Sequence, residues 1–294
     1  MTAFPRTRPD QCPGILRPWP AHDGALARIR LVGGRITARA LAGLSAVARE
    51  YGDGSLHLTA RANLQLRALP SAGNGALRDD VVAAIERLGL LPSRSHDLVR
   101  NVMVSPQTGL AAGRADLRPL ATALDRALRA DEALADLSAK FLFVLDDGRG
   151  DLADVRADLG LVALGADEAQ LRVGDGWGGV VRLAEAVPRL LTLAHAFRAA
   201  RGGGPSAAWH VGELAAPLVP AEEPQPEALV RSGPLPYGAV AGGRHVPAPD
   251  GVLSPALVAE LVAGLMAGLR AGPPGERELV VTPWRGVLVP EEAR

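Results

Sequence analysis

A short stretch near residue 60 carries polar side chains at alternate positions, and their types are suited to binding an anion. Leucines and alanines there alternate with polar residues, namely Thr59, Arg61, Asn63, Gln65 and Arg67. Because successive side chains of a strand point to opposite faces, the polar set shares one face of a predicted sheet. Hydroxyl, amide and guanidinium groups all donate hydrogen bonds, so this face can recognise an anion. A solvated sheet face produces the same alternation and is its commoner meaning.

The segment that contains these residues has a second copy near the other end of the sequence. Residues 56–67 read as strand, Thr, polar kink with an Arg, and strand, and residues 279–290 follow the same order. Each copy follows a Gly-rich strand and an Ala/Leu-rich helix, at 25–51 and at 240–270. A long-range repeat with an insert differs from the short tandem periods of a solenoid. It predicts two half-domains related by a pseudo-twofold axis.

The stretch between the two copies alternates predicted strands with predicted helices. The apolar run Lys140–Gly148 is typical of a strand that is covered on both faces. Residues 202–236 are rich in Gly, Pro and Glu and are expected to form an interdomain linker. Pro188 is expected to kink its helix or to mark a late start. The predicted helices are Thr37–Tyr51, Asp80–Leu88, Leu117–Arg129, Glu132–Leu137, Leu183–Arg201 and Ser254–Arg270.

The balance of charge argues against large charged partners. The sequence has 32 basic and 32 acidic residues, so it lacks the basic surface that nucleic acids or anionic membranes attract. No apolar run approaches the length of a membrane span, and Met1–Pro20 lacks the apolar core of a signal peptide. We therefore expect a cytoplasmic protein with neither a nucleic-acid nor a membrane partner.

Two residue types occur once each, and both bear on chemistry. Cys12 is the only cysteine, and a single thiol can neither form an internal disulfide nor hold an iron–sulfur cluster or a structural zinc alone. The sequence therefore predicts no metal site made of its own residues. Lys140 is the only lysine among many arginines, which singles it out. No residue pattern identifies a catalytic side chain, so the catalytic residues stay unassigned.

The order of these segments resembles that of the nitrite/sulfite reductase superfamily, and within it the sequence is most similar to the precorrin-3B synthases of aerobic cobalamin biosynthesis. The likeness spans essentially the whole chain, and the order of the motifs is more specific than any one of them. The motifs that carry it are Asp10–Gly14, Asp23–Arg28, Gly52–Gly54, Phe141–Asp151 with its Asp-Asp-Gly-Arg-Gly-Asp turn, and Thr282–Gly286.

The resemblance implies an α+β fold. Two ferredoxin-like half-domains are expected to form one pseudo-twofold unit, with an inserted α/β domain that binds a tetrapyrrole. The expected boundaries are 1–92 for the first half-domain with its extended N-terminus, 93–201 for the inserted domain, 202–236 for the linker and 237–294 for the second half-domain.

The resemblance also implies a site for a macrocycle fringed with carboxylates, which arginine forks can bind in a bidentate manner. Each candidate has a structural alternative as well. Arg61 could lie in an exposed turn, Arg100 could form a surface ion pair, and Lys140 could begin a strand at the surface. Arg285 either completes the pocket or packs. The implied tetrapyrrole-binding residues are Arg61, Asn63, Arg100, Asn101, Lys140 and Arg285.

The superfamily carries a 4Fe–4S cluster on cysteines that follow the second half-domain, and these cysteines have no counterpart here. The implied function is that of a precorrin-3B synthase-like protein, which hydroxylates precorrin-3A with oxygen and forms a lactone. We expect the chain to be incomplete for this reaction. Its partners would be the tetrapyrrole and a separate cluster-bearing polypeptide, unless the chain is degenerate or truncated. Its final strand is expected at an open sheet edge.

Two other functions remain open at this stage. The chain could be a fragment of a sirohaem-type nitrite or sulfite reductase, and sirohaem is a cofactor only under this alternative. In sulfite reductases a second lysine follows two residues after the first, where this sequence has Leu142, and this departure weakens the reductase alternative. The chain could also be a tetrapyrrole-binding subunit that catalyses nothing.

Overall fold

A computed structural model describes residues 10–268 and 277–291 of the chain. The predicted extended segment before residue 10 and the predicted helix end at Arg270 lie outside these ranges. Backbone contacts divide the chain into two compact units. Of the described residues, the paired unit holds 13–97, 235–268 and 277–291, and the inserted unit holds 10–12 and 98–234. The predicted boundaries at 92/93 and 236/237 lie within a few residues of these.

The described residues form five α-helices and fifteen strands. The helices are α1 (Ala38–Tyr51), α2 (Asp79–Arg87), α3 (Arg118–Ala130), α4 (Leu183–Ala200) and α5 (Pro255–Gly268). The strands are β1 (Trp19–Ala21), β2 (Gly24–Ile29), β3 (Arg35–Thr37), β4 (Leu56–Leu58), β5 (Leu64–Leu69), β6 (Val102–Val104), β7 (Phe143–Asp146), β8 (Leu159–Ala163), β9 (Glu168–Val173), β10 (Gly176–Arg182), β11 (Gly238–Val240), β12 (Gly243–Pro247), β13 (Val252–Leu253), β14 (Glu278–Val281) and β15 (Gly286–Pro290). No helix among them is both long and apolar enough to cross a membrane.

The paired unit consists of two five-stranded antiparallel sheets that exchange a short strand. One sheet has the order β1-β2-β5-β4-β13, and the other has the order β11-β12-β15-β14-β3. Strand β3 follows β2 in sequence but pairs with β14, where Ile36 lies opposite Leu279. Strand β13 follows β12 but pairs with β4, where Leu253 lies opposite Leu56. The two sheets therefore have the same order, and the predicted pseudo-twofold repeat is confirmed.

The final strand lies inside its sheet. Strand β15 pairs with β12 on one side and with β14 on the other. The expectation that this strand forms an open edge is wrong, because β14 precedes it in a hairpin and β12 reaches its other side from earlier in the second copy.

The helix α1 begins where the sequence provides a cap and an apolar face. The side-chain oxygen of Thr37 accepts a hydrogen bond from the Ala40 N–H at 3.1 Å, which satisfies one of the unpaired donors of the first turn. Leu41, Leu44 and Ala48 follow at helical spacing and are fully buried. The helix packs against α5, its counterpart in the second copy.

The loop between β4 and β5 is attached to the end of β2 by a buried amide. The alternation predicts Asn63 on the polar face, but its side chain is only 2% exposed. The Asn63 Oδ1 atom accepts a hydrogen bond from the Leu31 N–H at 2.8 Å. Asn63 therefore satisfies a backbone donor that leaves the sheet after β2.

The inserted unit is a mixed sheet with helices. Its strand order is β10-β9-β8-β7-β6, in which β6, β7 and β8 are parallel and β8, β9 and β10 are antiparallel. Every residue of β7 is buried, as the apolar run predicts. The Phe141 ring contacts the rings of Phe143 and Phe197 at centroid distances of 5.3 and 4.9 Å, so α4 is fixed against the strand. Helix α4 begins five residues before Pro188, and the predicted late start is not seen.

Residues 202–234, most of the predicted linker, lie along the inserted unit and hydrogen-bond to it. The Gln225 N–H donates to Gln170 Oε1 at 2.8 Å, and the Ser232 N–H donates to the Gly150 oxygen at 3.1 Å. The Glu227 backbone oxygen accepts from Arg114 Nη1 at 2.7 Å. This segment has few apolar residues, but polar contacts hold its backbone against the inserted unit.

The turn after β7 carries its carboxylates into the interior of the inserted unit. Asp146 Oδ1 accepts from the Gly148 and Gly150 N–H groups at 2.9 and 3.0 Å. Asp147 holds the Arg149 guanidinium by two contacts of 2.8 and 2.7 Å. Asp151 accepts from the Ser105 hydroxyl at 2.7 Å, and burial raises the pKa of Asp151 to about 7.

We expect Asn63→Ala to lower the free energy of unfolding by about 1–3 kcal/mol, because it leaves the buried Leu31 N–H without its acceptor. Urea denaturation measures the change. The matched control is Asn74→Ala, which removes an exposed side-chain contact to the Ala76 N–H and should cost less than about 0.5 kcal/mol. Equal losses in both variants would show that Asn63 has no special structural role.

We expect Asp151→Asn to flatten the pH dependence of stability. Between the unfolded pKa of 3.8 and the folded pKa of about 7, the native Asp151 retains a proton that the unfolded chain has lost, so stability falls as pH rises across this window. The loss in the parent is on the order of a few kcal/mol. Unfolding free energies at pH 5 and pH 8 test this.

The control is Asp154→Asn, at an exposed residue. This variant should show the same difference in unfolding free energy between pH 5 and pH 8 as the parent. A parent and an Asp151→Asn variant that lose the same stability from pH 5 to pH 8 would contradict the assignment.

Candidate functional site

The same threonine device shapes the loop in each copy of the repeat. In the first copy the Thr59 backbone N–H donates to the Asn63 backbone oxygen at 3.0 Å, and Thr59 Oγ1 accepts from the Asn63 backbone N–H at 3.1 Å. In the second copy the Thr282 N–H donates to the Gly286 oxygen at 2.9 Å, and Thr282 Oγ1 accepts from the Gly286 N–H at 3.2 Å. Each loop is therefore closed by its threonine.

The two arginines of the repeat do not occupy equivalent positions. The fourth residue of each loop has a positive φ, which is 54° at Ala62 and 57° at Arg285. Arg61 thus corresponds to Trp284, and Arg285 corresponds to Ala62. The sequence motif alone does not show this difference, because both loops contain one arginine.

Arg61 and Arg285 are the most accessible of the predicted binding residues in the paired unit. Arg61 is half-buried at the tip of its loop, and its N–H donates to Thr59 Oγ1 at 3.3 Å. Arg285 is exposed, and its side-chain stem passes over Gly251, where an added Cβ would lie 3.2 Å from Arg285 Cδ. Both guanidinium groups are therefore carried on loops whose backbone is fixed by hydrogen bonds.

A buried histidine at the base of the second loop was not identified from the sequence. His245 Nε2 lies 3.0 Å from Thr282 Oγ1, and His245 Nδ1 lies 3.1 Å from the Leu235 oxygen. Burial lowers the pKa of His245, so the neutral imidazole is favoured. The Tyr237 ring stacks on it at 4.7 Å. The sequence does not indicate the role of His245, because a single histidine in a strand can serve many purposes.

Arg100 is neither a surface residue nor a cation without a partner. Its Nε atom lies 2.6 Å from Asp125 Oδ1, and the two side chains are 9% and 11% exposed. The other oxygen of Asp125 contacts Arg129 Nε at 3.0 Å. The predicted alternative of an ion pair is therefore the arrangement in the structure, but the pair is buried. Asp125 was missed because it lies on α3, far from Arg100 in sequence.

Asn101 binds the backbone on both sides of Lys140. Its Nδ2 atom donates to the Ala139 oxygen at 2.9 Å and to the Phe141 oxygen at 3.2 Å. The same atom lies 3.3 Å from the Leu98 oxygen. Asn101 therefore fixes the segment that carries the lysine to the start of β6.

A carboxylate from the beginning of the chain completes this support. Asp10 Oδ2 accepts from the Ser138 hydroxyl at 3.0 Å and from the Ala139 N–H at 2.8 Å. Burial raises the pKa of Asp10, but hydrogen bonds from Cys12, Ser138 and Ala139 outweigh this and lower it overall. Asp10 belongs to the first motif of the family resemblance, which was the only sequence signal for its role.

Lys140 is half-buried beside an aromatic ring. Its Nζ atom lies 4.7 Å from the centroid of the Trp209 ring. Its N–H donates to Ser138 Oγ at 3.1 Å. Within the inserted unit Asn101 thus contacts the segment of Lys140, and both Arg100 and Asn101 make buried contacts within the protein. Trp209 was missed because it lies in the segment that composition marked as a linker.

A 4Fe–4S cluster does not fit the residues that the structure describes. Such a cluster is held by several cysteine thiolates, and Cys12 is the only cysteine in the sequence. Over residues 10–268 and 277–291, no group of three or more His, Cys, Asp or Glu side chains could hold a metal ion. We therefore derive no chemical step through a cluster.

Comparisons with known proteins agree on one superfamily. Residues 20–83 match the family model of the nitrite/sulfite reductase ferredoxin-like half domain. A precorrin-3B synthase from Sinorhizobium sp is 33% identical over 159 residues, which are 52% of this chain and 32% of that protein. A ferredoxin–nitrite reductase from Synechococcus elongatus is 36% identical over 134 residues, which are 42% of this chain and 25% of that protein.

The fold also matches a solved structure. The Mycobacterium tuberculosis NirA protein superposes with a TM-score of 0.68 over 91% of this chain and 54% of that one, at 19% identity. The chain thus spans about a third or less of the curated relatives and about half of the solved structure. Taken with the two sheets of identical order, these matches support a relation between the chain and the nitrite/sulfite reductase superfamily, with a precorrin-3B synthase among its relatives.

Proposed function

We propose that this chain binds a carboxylate-rimmed tetrapyrrole and that it acts as a precorrin-3B synthase-like protein of aerobic cobalamin biosynthesis. The observation that carries the proposal is the loop between β4 and β5. Thr59 and Asn63 fix its backbone, and Arg61 is held half-buried at its tip. Because the loop is ordered before binding, Arg61 loses little further freedom when it contacts a carboxylate.

The contacts divide the predicted residues into two roles. We assign Arg61, Arg285 and Lys140 to the ligand, since each is at least partly exposed and each carries a full positive charge that can donate to a carboxylate. Three other residues support the backbone or each other from buried positions, and these are Asn63, Arg100 and Asn101.

The reaction we assign to the complete system is the oxygen-dependent hydroxylation of precorrin-3A with lactone formation. The role of this chain in it is to bind the tetrapyrrole and to orient it. One cysteine cannot ligate a cluster, so the cluster ligands would come from another polypeptide or from residues beyond this sequence. We place the protein in the cytoplasm, where its substrate would be made.

Two alternatives are distinguished by what the protein does with a bound tetrapyrrole. The identity of 36% to a nitrite reductase favours a sirohaem-binding fragment as the second candidate. Against this candidate, Leu142 is buried and apolar at the position where sulfite reductases have a second lysine. A chain that binds tetrapyrroles but supports no turnover with any cluster-bearing partner would be a binding subunit.

We expect Arg61→Ala to weaken binding of uroporphyrin, a porphyrin polycarboxylate, by about 10-fold to 100-fold, because a charge-assisted arginine contact is lost. Absorbance titration of the purified chain measures the affinity. The matched control is Arg67→Ala, which removes an exposed arginine from β5, the strand after this loop, and should change affinity less than about 2-fold. Equal effects of the two substitutions would remove Arg61 from the site.

We expect Arg100→Ala to lower stability by about 3–5 kcal/mol, because it leaves Asp125 buried with a weakened set of partners. Urea denaturation measures this loss, and Arg126→Ala on the exposed side of α3 is the control. The double variant Arg100→Ala/Asp125→Ala should recover part of the loss. A fully stable Arg100→Ala protein with lower porphyrin affinity would instead assign Arg100 directly to the ligand.

A further inference from the structure

An aromatic ring accompanies the only lysine of the chain. The ammonium of Lys140 lies 4.7 Å from the centroid of the Trp209 ring, a distance at which a cation is attracted to the face of an indole. Both residues are half-buried, so the contact is partly shielded from water.

The tryptophan is held in place from its own side. The backbone N–H of Trp209 donates to Glu213 Oε2 at 2.7 Å, and Glu213 ends a short 3-10 turn, Val211–Glu213. The same carboxylate lies 3.4 Å from the His210 nitrogen. The backbone at Trp209 is therefore fixed by a carboxylate four residues further on.

A second carboxylate joins the segment that carries Trp209 to the segment that carries Lys140. Asp158 Oδ2 accepts from the Leu142 N–H at 2.8 Å, and Asp158 Oδ1 accepts from the Val211 N–H at 2.9 Å. Asp158 is buried. The lysine and the tryptophan are thus each two residues from a backbone group that binds one and the same side chain.

From this arrangement we infer that Trp209 is a positioning residue for Lys140, holding its ammonium in the place where it donates to a carboxylate of the ligand. This role rests on the proposed function. A flexible lysine side chain has rotamer entropy to lose on binding, and the ring restricts it before the ligand arrives. An indole attracts the ammonium through its ring face and does not neutralise its charge.

The test is a double-mutant cycle on porphyrin binding. Trp209→Ala should weaken uroporphyrin binding by about 2-fold to 10-fold in the parent, and it should change affinity by less than about 1.5-fold in a Lys140→Met background. Trp209→Phe should recover part of the affinity, since its ring also attracts a cation. It also replaces Trp209→Ala in the cycle if that variant is poorly folded by circular dichroism.

A second readout needs no ligand. Reductive methylation with 13C-formaldehyde labels the single lysine and the α-amino group, whose NMR signals are separate. The Lys140 methyl signal should lie upfield because of the Trp209 ring current, return toward the random-coil position in Trp209→Ala, and stay partly shifted in Trp209→Phe. Trp177→Phe, in the same unit, should leave it unchanged.

The outcomes separate the two ideas. A parent that does not bind uroporphyrin overturns the proposed function and this role with it. Binding with additive losses from Trp209→Ala and Lys140→Met, or a methyl signal that ignores Trp209, overturns only the role of Trp209.

Discussion

The segments that carry Arg61 and Lys140 depend on buried or half-buried side-chain oxygens that accept hydrogen bonds from backbone N–H groups. Asn63 holds the loop of Arg61 in this way, and Asp10 and Asp158 hold the backbone on either side of Lys140. Buried N–H groups are costly to leave unpaired, so each acceptor has one stable arrangement. The polar residues of the family motifs therefore have two roles. Some are acceptors that fix the backbone, and others are partly exposed cations carried by that backbone.

The sequence predicts the architecture well where periodicity and repetition act together. The repeat predicts two sheets of the same order, and the apolar run at 140–148 predicts the covered strand β7. It does not predict the short strands β3 and β13, because their partners lie about 195 to 245 residues away. It also misreads residues 202–236, since composition records low hydrophobicity and not the hydrogen bonds that attach this segment to the inserted unit.

The candidate site is predicted less completely, for a physical reason. The residue type of an arginine or asparagine in a motif does not show whether its side chain contacts a ligand or a buried partner. Arg100 forms a buried ion pair with Asp125 on α3, which the motif does not show. Trp209 has no neighbours in sequence that indicate Lys140, and only tertiary structure brings them to 4.7 Å. Motifs therefore locate the regions, while contacts assign the roles.

The exchanged strands have a consequence for biosynthesis. The ribosome releases β4 long before β13 exists, so the edge of the first sheet waits without its partner while about 190 further residues are made. An unpaired strand edge is a template for aggregation. The inserted unit can form its own contacts during this interval, and both sheets are complete only when the second copy has been made. Until the second copy is made, the β4 edge is therefore a place where a nascent chain can aggregate.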